Sequence, residues 1–307
     1  MPLLDLFRFF LLAAIWGASF LFMRVASPEF GPVPLIMVRV GVALFCLVPF
    51  ILKAEIRTSI REHAGTLVLV GMMNSALPFC LLAFATLHLE AGSTSLLNAT
   101  TPLFAAVIGF AWLRLPLNRF QVFGLLMGII GVVILTWGKI SFKPGAPGWA
   151  IVAALGASCS YGLSVHVTRR RLLDVPARVF VGGGLIAATL VLIPISLPFW
   201  PVTLPSPGAW ACALALAVLS TAFAYLLFFQ LIKSIGATST ATVTFVIPVF
   251  AILWGALFLD EQLNPQVLAG MAVILAGTAF TTASSTGKNR KIFPRRAEYS
   301  KGIENTD

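Results

Sequence analysis

Side chains able to make or break a covalent bond are scarce along this sequence. Its histidines are His63, His88 and His166, and the first two border loops. No His-Glu-x-x-His, no Gly-x-Ser-x-Gly and no pair of aspartates inside an apolar run occurs. Metal-assisted and nucleophilic hydrolysis therefore lack their constellations. Cys46, Cys80, Cys159 and Cys212 lie within apolar stretches, at spacings that suit neither zinc nor a disulfide framework. They read as small packing residues. No catalytic residue, metal or cofactor is expected.

What the sequence offers instead is a set of polar and aromatic residues embedded in apolar runs, the material of a ligand cavity. The substrate-contact candidates are Trp16, Ser19, Phe20, Asn74, Phe79, Asn98, Thr101, Tyr161, Tyr225 and Thr244. Ser and Thr in such runs often bond only their own backbone, whereas buried Asn is costlier and so more telling. Pro102 and Pro248 stand near the middle of their runs, where each frees a backbone carbonyl, and are candidates for a hinge or local unwinding. Two charged candidates remain. Arg39 lies in the outer half of its run, where snorkelling or pairing with Glu29 is the favoured reading over a functional charge. His166 lies near the inner end of its run and suits a structural role better than a proton relay. No carboxylate stands deep in any run, so proton coupling through a mid-membrane acid is not expected, and a highly charged ligand is disfavoured.

The elements that must position these residues follow from composition. A soluble chain of 307 residues would carry roughly a quarter charged residues, yet here 10% are charged and 59% hydrophobic. Apolar runs cover residues 6–26, 32–52, 65–87, 91–113, 119–138, 148–168, 177–199, 208–232, 237–259 and 264–284. Each approximates the 20 or so residues that cross a bilayer as a helix, and backbone at that depth must satisfy its own hydrogen bonds. The expected fold is an all-α membrane protein of about ten transmembrane helices. Arg8 before the first run and Gly17-Ala-Ser19 within it imitate a signal peptide, but the run continues through Phe22 and reads as a membrane helix.

The net charge of +10 does not mark a nucleic-acid partner, because the charges sit between apolar runs and in the tail. They report topology. With the N-terminus inside, one face holds only Arg24, Lys139 and Lys143 of the 21 Lys and Arg. Arg39 lies within a run, and all the others fall on the cytoplasmic side. A multi-pass inner-membrane protein with both termini cytoplasmic is expected, its basic tail, 287–307, disordered. The expected partners are the bilayer and a small-molecule substrate. Gly124-Leu-Leu-Met-Gly128 is a small-xxx-small pattern that serves packing within the monomer in the favoured reading, or a homodimer face.

The two halves of the chain also resemble each other. An offset of 146 residues lays Ala91–Asn98 over Ala237–Thr244 and pairs Pro102 with Pro248, Phe104 with Phe250, and Asn118 with Asn264. It continues through Gly124 with Gly270 and Gly131 with Gly277. With one residue of adjustment, Trp16-Gly17, Ser19 and Arg24 fall on Tyr161-Gly162, Ser164 and Arg169. This divides the chain into repeats 1–140 and 147–286. Five helices per repeat is an odd number, so the second repeat enters the membrane upside down. Inverted repeats around a midplane site are the architecture of a secondary carrier.

Residues Ala14-Ile-Trp16-Gly17-Ala-Ser19-Phe20, Arg39, and the stretch Tyr225 to Gly277, with its Pro248-Val-Phe-Ala and Leu259-Asp260-Glu261-Gln-Leu263, resemble the EamA family of the drug/metabolite transporter superfamily. The resemblance implies a ten-helix fold and transport of amino acids, related metabolites, nucleotide-like compounds or drugs. It favours efflux by alternating access; uptake of a metabolite or vitamin is the alternative, and a membrane-embedded enzyme a more distant one. One departure stands out: the acidic turn at Asp260-Glu261 normally recurs in the first half of such proteins, where this chain has Arg114-Leu115. That puts a symmetric role for the glutamate in doubt.

Overall fold

The computed structural model describes residues 1–143, 145 and 147–283; the expected tail, 287–307, lies outside the described residues. Among the described residues, ten helices are long and apolar enough to cross a membrane. We number them α1 (Leu3–Phe30), α2 (Pro32–Ile51), α3 (Ala64–His88), α4 (Ala91–Leu113), α5 (Arg119–Thr136), α6 (Gly148–Arg171), α7 (Ala177–Phe199), α8 (Pro207–Ile235), α9 (Ser239–Leu259) and α10 (Pro265–Thr282). A short helix, Ala54–Glu62, with no buried residue, crosses the loop after α2. No strand occurs among the described residues.

Helix starts obey local rules. Asn118 and Gln121 form a reciprocal capping box on α5, with bonds of 2.9 and 3.0 Å. Asn264 Oδ1 accepts the Gln266 N–H at 2.9 Å to open α10. Prolines occupy the first turns of α2 and α8, where a missing N–H costs nothing.

Close approach of small residues sets the packing. A Cβ on Gly17 of α1 would lie 2.7 Å from Phe250 Cβ of α9, and one on Gly162 of α6 would lie 2.8 Å from the Ala105 nitrogen of α4. Those contacts are repeat-related: 17 goes with 162, and 104–105 with 250–251. Along α5 and α10, Gly124 faces Gly277 and Gly131 faces Ile274, so the two helices run antiparallel with backbones in contact. The face of Gly124-Leu-Leu-Met-Gly128 is thus covered by α10, with Leu103 also against Gly128. This small-residue seam is packed within the chain.

Backbone irregularities recur at the 146-residue offset. α3 carries a π-helical turn at Met72–Ala76 and α8 one at Val218–Phe223. Among the described residues, the left-handed ones that are not glycine are Arg114, with φ 51°, and Asp260, with φ 53°. Each is closed by a bond from the following N–H, Leu115 to Gly109 O at 3.1 Å and Glu261 to Gly255 O at 3.2 Å.

The prolines differ from expectation. α4 breaks at Ala99–Thr100, immediately before Pro102. α9, however, runs unbroken through Pro248; its irregularity lies earlier, at Thr242. There the Thr242 and Thr244 hydroxyls donate to carbonyls three residues back, at 2.7 and 2.9 Å, and tighten that turn instead. Pro248 does not unwind its helix.

Candidate functional site

Arg39 of α2 ends in the protein interior, 4% exposed. This corrects the snorkelling or Glu29-paired reading. Glu29 is turned to the first turn of α8, where its carboxylate accepts the Ser206 N–H at 2.6 Å and the Ser206 hydroxyl at 2.8 Å. Arg39 has other company. Its Cζ lies 3.8 Å from the centre of the Phe79 ring, a cation–π contact that strengthens away from water. Its Nε donates to Thr221 Oγ1 at 3.0 Å, and a terminal nitrogen points at the Met23 sulfur at 3.9 Å. Tyr161 and Tyr225 pack against the same core as Phe79.

The π turn of α8 explains why Thr221 can receive the arginine. Widening the helix lets the Thr221 hydroxyl donate to Leu216 O, five residues back, at 2.8 Å, which leaves its lone pairs for Arg39. The neighbouring Ser220 hydroxyl donates to Ile15 O of α1 at 3.2 Å. The π turn of α3 is tied with the opposite polarity: the Ser160 hydroxyl of α6 donates to Met73 O at 2.8 Å.

Beside the α3 turn lies a narrow cleft, closed to a water molecule in this conformation and lined by Val70, Gly71, Asn74, Ser75, Phe180, Val181, Gly184 and Tyr225. Tyr225 and Ser75, which line this cleft, lie one helical turn from Thr221 and Phe79, the partners of Arg39, so cleft and guanidinium are neighbours. Among the candidates read from sequence, the structure thus gathers Arg39, Asn74, Phe79, Tyr161 and Tyr225. Phe20, 4% exposed, belongs to the same apolar core.

Others fall elsewhere. Trp16 packs against Phe228, with ring centroids 5.5 Å apart, in a cluster with Phe9, Leu12 and Val243. Ser19 bonds back to Trp16 O at 2.5 Å, and Thr101 bonds back to Asn98 O at 2.8 Å. Thr244 is exposed. Asn98 has a buried side-chain oxygen with no partner, while its backbone carbonyl accepts Ser158 Oγ at 3.2 Å. His166 is buried rather than interfacial and bonds Ala105 O at 2.7 Å, which ties α6 to α4. Sequence reading passed over Gly71, Gly184 and Phe180. Thr221 was visible as the repeat partner of Ser75, and Gly184 falls 145 residues after Arg39.

No cluster of metal-ligating side chains occurs among the described residues. Outside the spans, Glu261 reaches across from the turn after α9, and its Oε1 accepts the Ala91 N–H at the start of α4 at 2.9 Å. Burial raises its carboxyl pKa above the ordinary value, against the lowering effect of that bond. Leu115, at the equivalent place, cannot make such a bond and instead lies against Gly109.

Ten apolar helices with a polar cluster enclosed among them define a multi-pass membrane protein with an internal site. The model of the EamA-like transporter family matches this chain twice, over residues 5–137 and 148–283, and the chain belongs to that family. It is similar to the transporter YoaV of Bacillus subtilis, 22% identical over 87% of this chain and 93% of the relative. A probable amino-acid metabolite efflux pump of Salmonella typhimurium is 24% identical over 89% of this chain and 93% of its own length. One solved crystal structure shares the fold, with a TM-score of 0.64 at 17% identity, over 94% of this chain and 98% of that one.

Proposed function

We infer that this transporter is a secondary carrier for a small metabolite, an amino acid or related compound, and that it works by alternating access between two inverted five-helix halves, 1–140 and 147–286. The observation that carries this reading is the recurrence of local structure at one offset: π turns at 72–76 and 218–223, and left-handed residues at 114 and 260. Two halves built alike can exchange outward and inward shapes around a site they share. The π turns flank the polar cluster, and such turns mark places where a helix can change its register at low cost.

Export is the direction we assign, in keeping with the name of the Salmonella relative, a probable efflux pump. The asymmetry of Lys and Arg supports an inner-membrane setting with both termini cytoplasmic. The test is counterflow in proteoliposomes loaded with millimolar unlabelled amino acids, with entry of the labelled compounds measured over time. A carrier gives a transient, saturable overshoot that excess unlabelled compound abolishes. Linear flux without saturation would indicate a channel and overturn the reading.

A further inference from the structure

α5 packs mostly against α10 and leaves Ile129, Ile130, Val133 and Trp137 exposed. With Ile134 and with Gln266 of α10 they line an open groove of about 440 Å³. From Ile129 to Trp137 the groove follows α5 for about 12 Å, most of the roughly 15 Å of hydrocarbon in one leaflet. Gln266 spends its amide N–H groups on the end of α5, donating to Ile134 O at 2.8 Å and to Trp137 O at 2.9 Å. The remaining walls are aliphatic or aromatic, so they suit hydrocarbon and give a polar solute no return for its desolvation.

The groove ends where the chain leaves the membrane. Trp137 and Trp149, exposed on either side of the α5–α6 connection, are of the type that settles at the level of lipid headgroups. Phe142 packs edge-on against Trp149, ring centroids 5.3 Å apart, and folds the connection onto the start of α6. Lys139 and Lys143 lie on this connection, and the bond from the Lys139 N–H to Thr136 O, 2.9 Å, keeps Lys139 within a turn of Trp137. They are two of the three basic residues on that side; the third, Arg24, donates to Thr86 O at 2.6 Å. Among the described residues neither lysine forms an ion pair. Of the acids at the same end, Glu261 is held by the Ala91 N–H and Asp260 forms no ion pair. Two uncompensated cations thus stand at the mouth of an apolar groove.

We propose that this groove holds one anionic phospholipid of the outer leaflet, an acyl chain along Ile130 and Val133 and the phosphate against Lys139 and Lys143. Lysine ammonium groups are point-charge partners for phosphate. The rival occupant is a second copy of this chain. A two-fold contact through the groove would bring both pairs of lysines together with no acid to separate them, so charge favours the lipid. The proposal holds whatever the substrate and direction of transport.

The experiment is native mass spectrometry of the intact purified protein titrated with phosphatidylglycerol or with phosphatidylcholine of identical chains. Wild type should bind one phosphatidylglycerol more tightly than further copies and more tightly than phosphatidylcholine. Joint Lys139→Gln and Lys143→Gln should weaken that binding about twenty-five-fold, about fivefold for each lysine. Val133→Trp, which fills the groove, should weaken it as well. Joint Arg57→Gln and Arg61→Gln, on the exposed face of the short helix Ala54–Glu62, removes as much charge elsewhere and should leave it unchanged. Equal affinity for the two lipids, affinity that survives loss of both lysines, or a loss caused by the arginine pair instead each overturns the proposal. So does a mass of two chains that Val133→Trp returns to one, which would give the groove to a second copy. Should Val133→Trp fail to fold, the lysine pair and the comparison of lipids decide.

Discussion

The π turn of α3 and the π turn of α8 share a backbone device and differ in what faces it. In α8 the turn presents Thr221 to the guanidinium of Arg39, 3.0 Å away. In α3 it presents Asn74 and Ser75 to a cleft opposite Gly184. The comparison teaches that a repeated fold supplies matched flexible places, while specificity comes from where the repeat is broken. A carrier needs its halves alike in order to exchange shapes, but its ligand is not symmetric, so the site cannot be.

Restoring symmetry should have the largest effect. Gly184→Arg would fill the cleft and bury a second unpaired cation, at a cost of about 3–5 kcal/mol. Thermal unfolding and counterflow should both collapse; a stable, active variant would show that the cleft is not used. Next comes the glycine contact under the cleft. A Cβ on Gly71 would stand 2.5 Å from Gly184 O, so Gly71→Ala should cost about 1–3 kcal/mol by overpacking. The reciprocal Gly184→Ala meets its nearest atom at 3.6 Å and should leave stability unchanged within about 1 kcal/mol while weakening transport. Equal destabilisation by both would erase the distinction.

Thr221→Val should then cost about 1.5–3 kcal/mol, because a charged donor loses its acceptor. Ser75→Ala, which faces no cation, should cost less in the same chemical-denaturation assay.

The smallest effect concerns the acidic turn that only the second half has. Since burial raises the Glu261 carboxyl above its ordinary 4.5, its contribution to stability is full below that pH and is lost as pH rises through the raised value. Wild type should therefore gain stability relative to Glu261→Gln as pH falls from neutral towards 4.5. Parallel pH profiles for the two proteins would contradict this.

Much of the scaffold was legible because bilayer physics writes it in long runs: the run at 119–138 became Arg119–Thr136, and the one at 237–259 became Ser239–Leu259. The π turns were not legible, since an inserted residue leaves apolar composition unchanged. Arg39 was misplaced for an energetic reason. Snorkelling is the default for a lone arginine, and only the arrival of Phe79 and Thr221 from distant helices makes an interior position tolerable. Gly184 escaped notice because its contribution is an absence, visible only when it is laid over Arg39. Pro248 misled because a mid-helix proline can be absorbed without unwinding.

The central claim, a cleft between the halves open to each side in turn, is most directly tested by access. In a background with Cys46, Cys80, Cys159 and Cys212 replaced by serine or alanine, Asn74→Cys would be treated with a membrane-impermeant maleimide in right-side-out and in inside-out vesicles. Alternating access predicts labelling from both faces. Labelling from one face only, or from neither, would contradict the account.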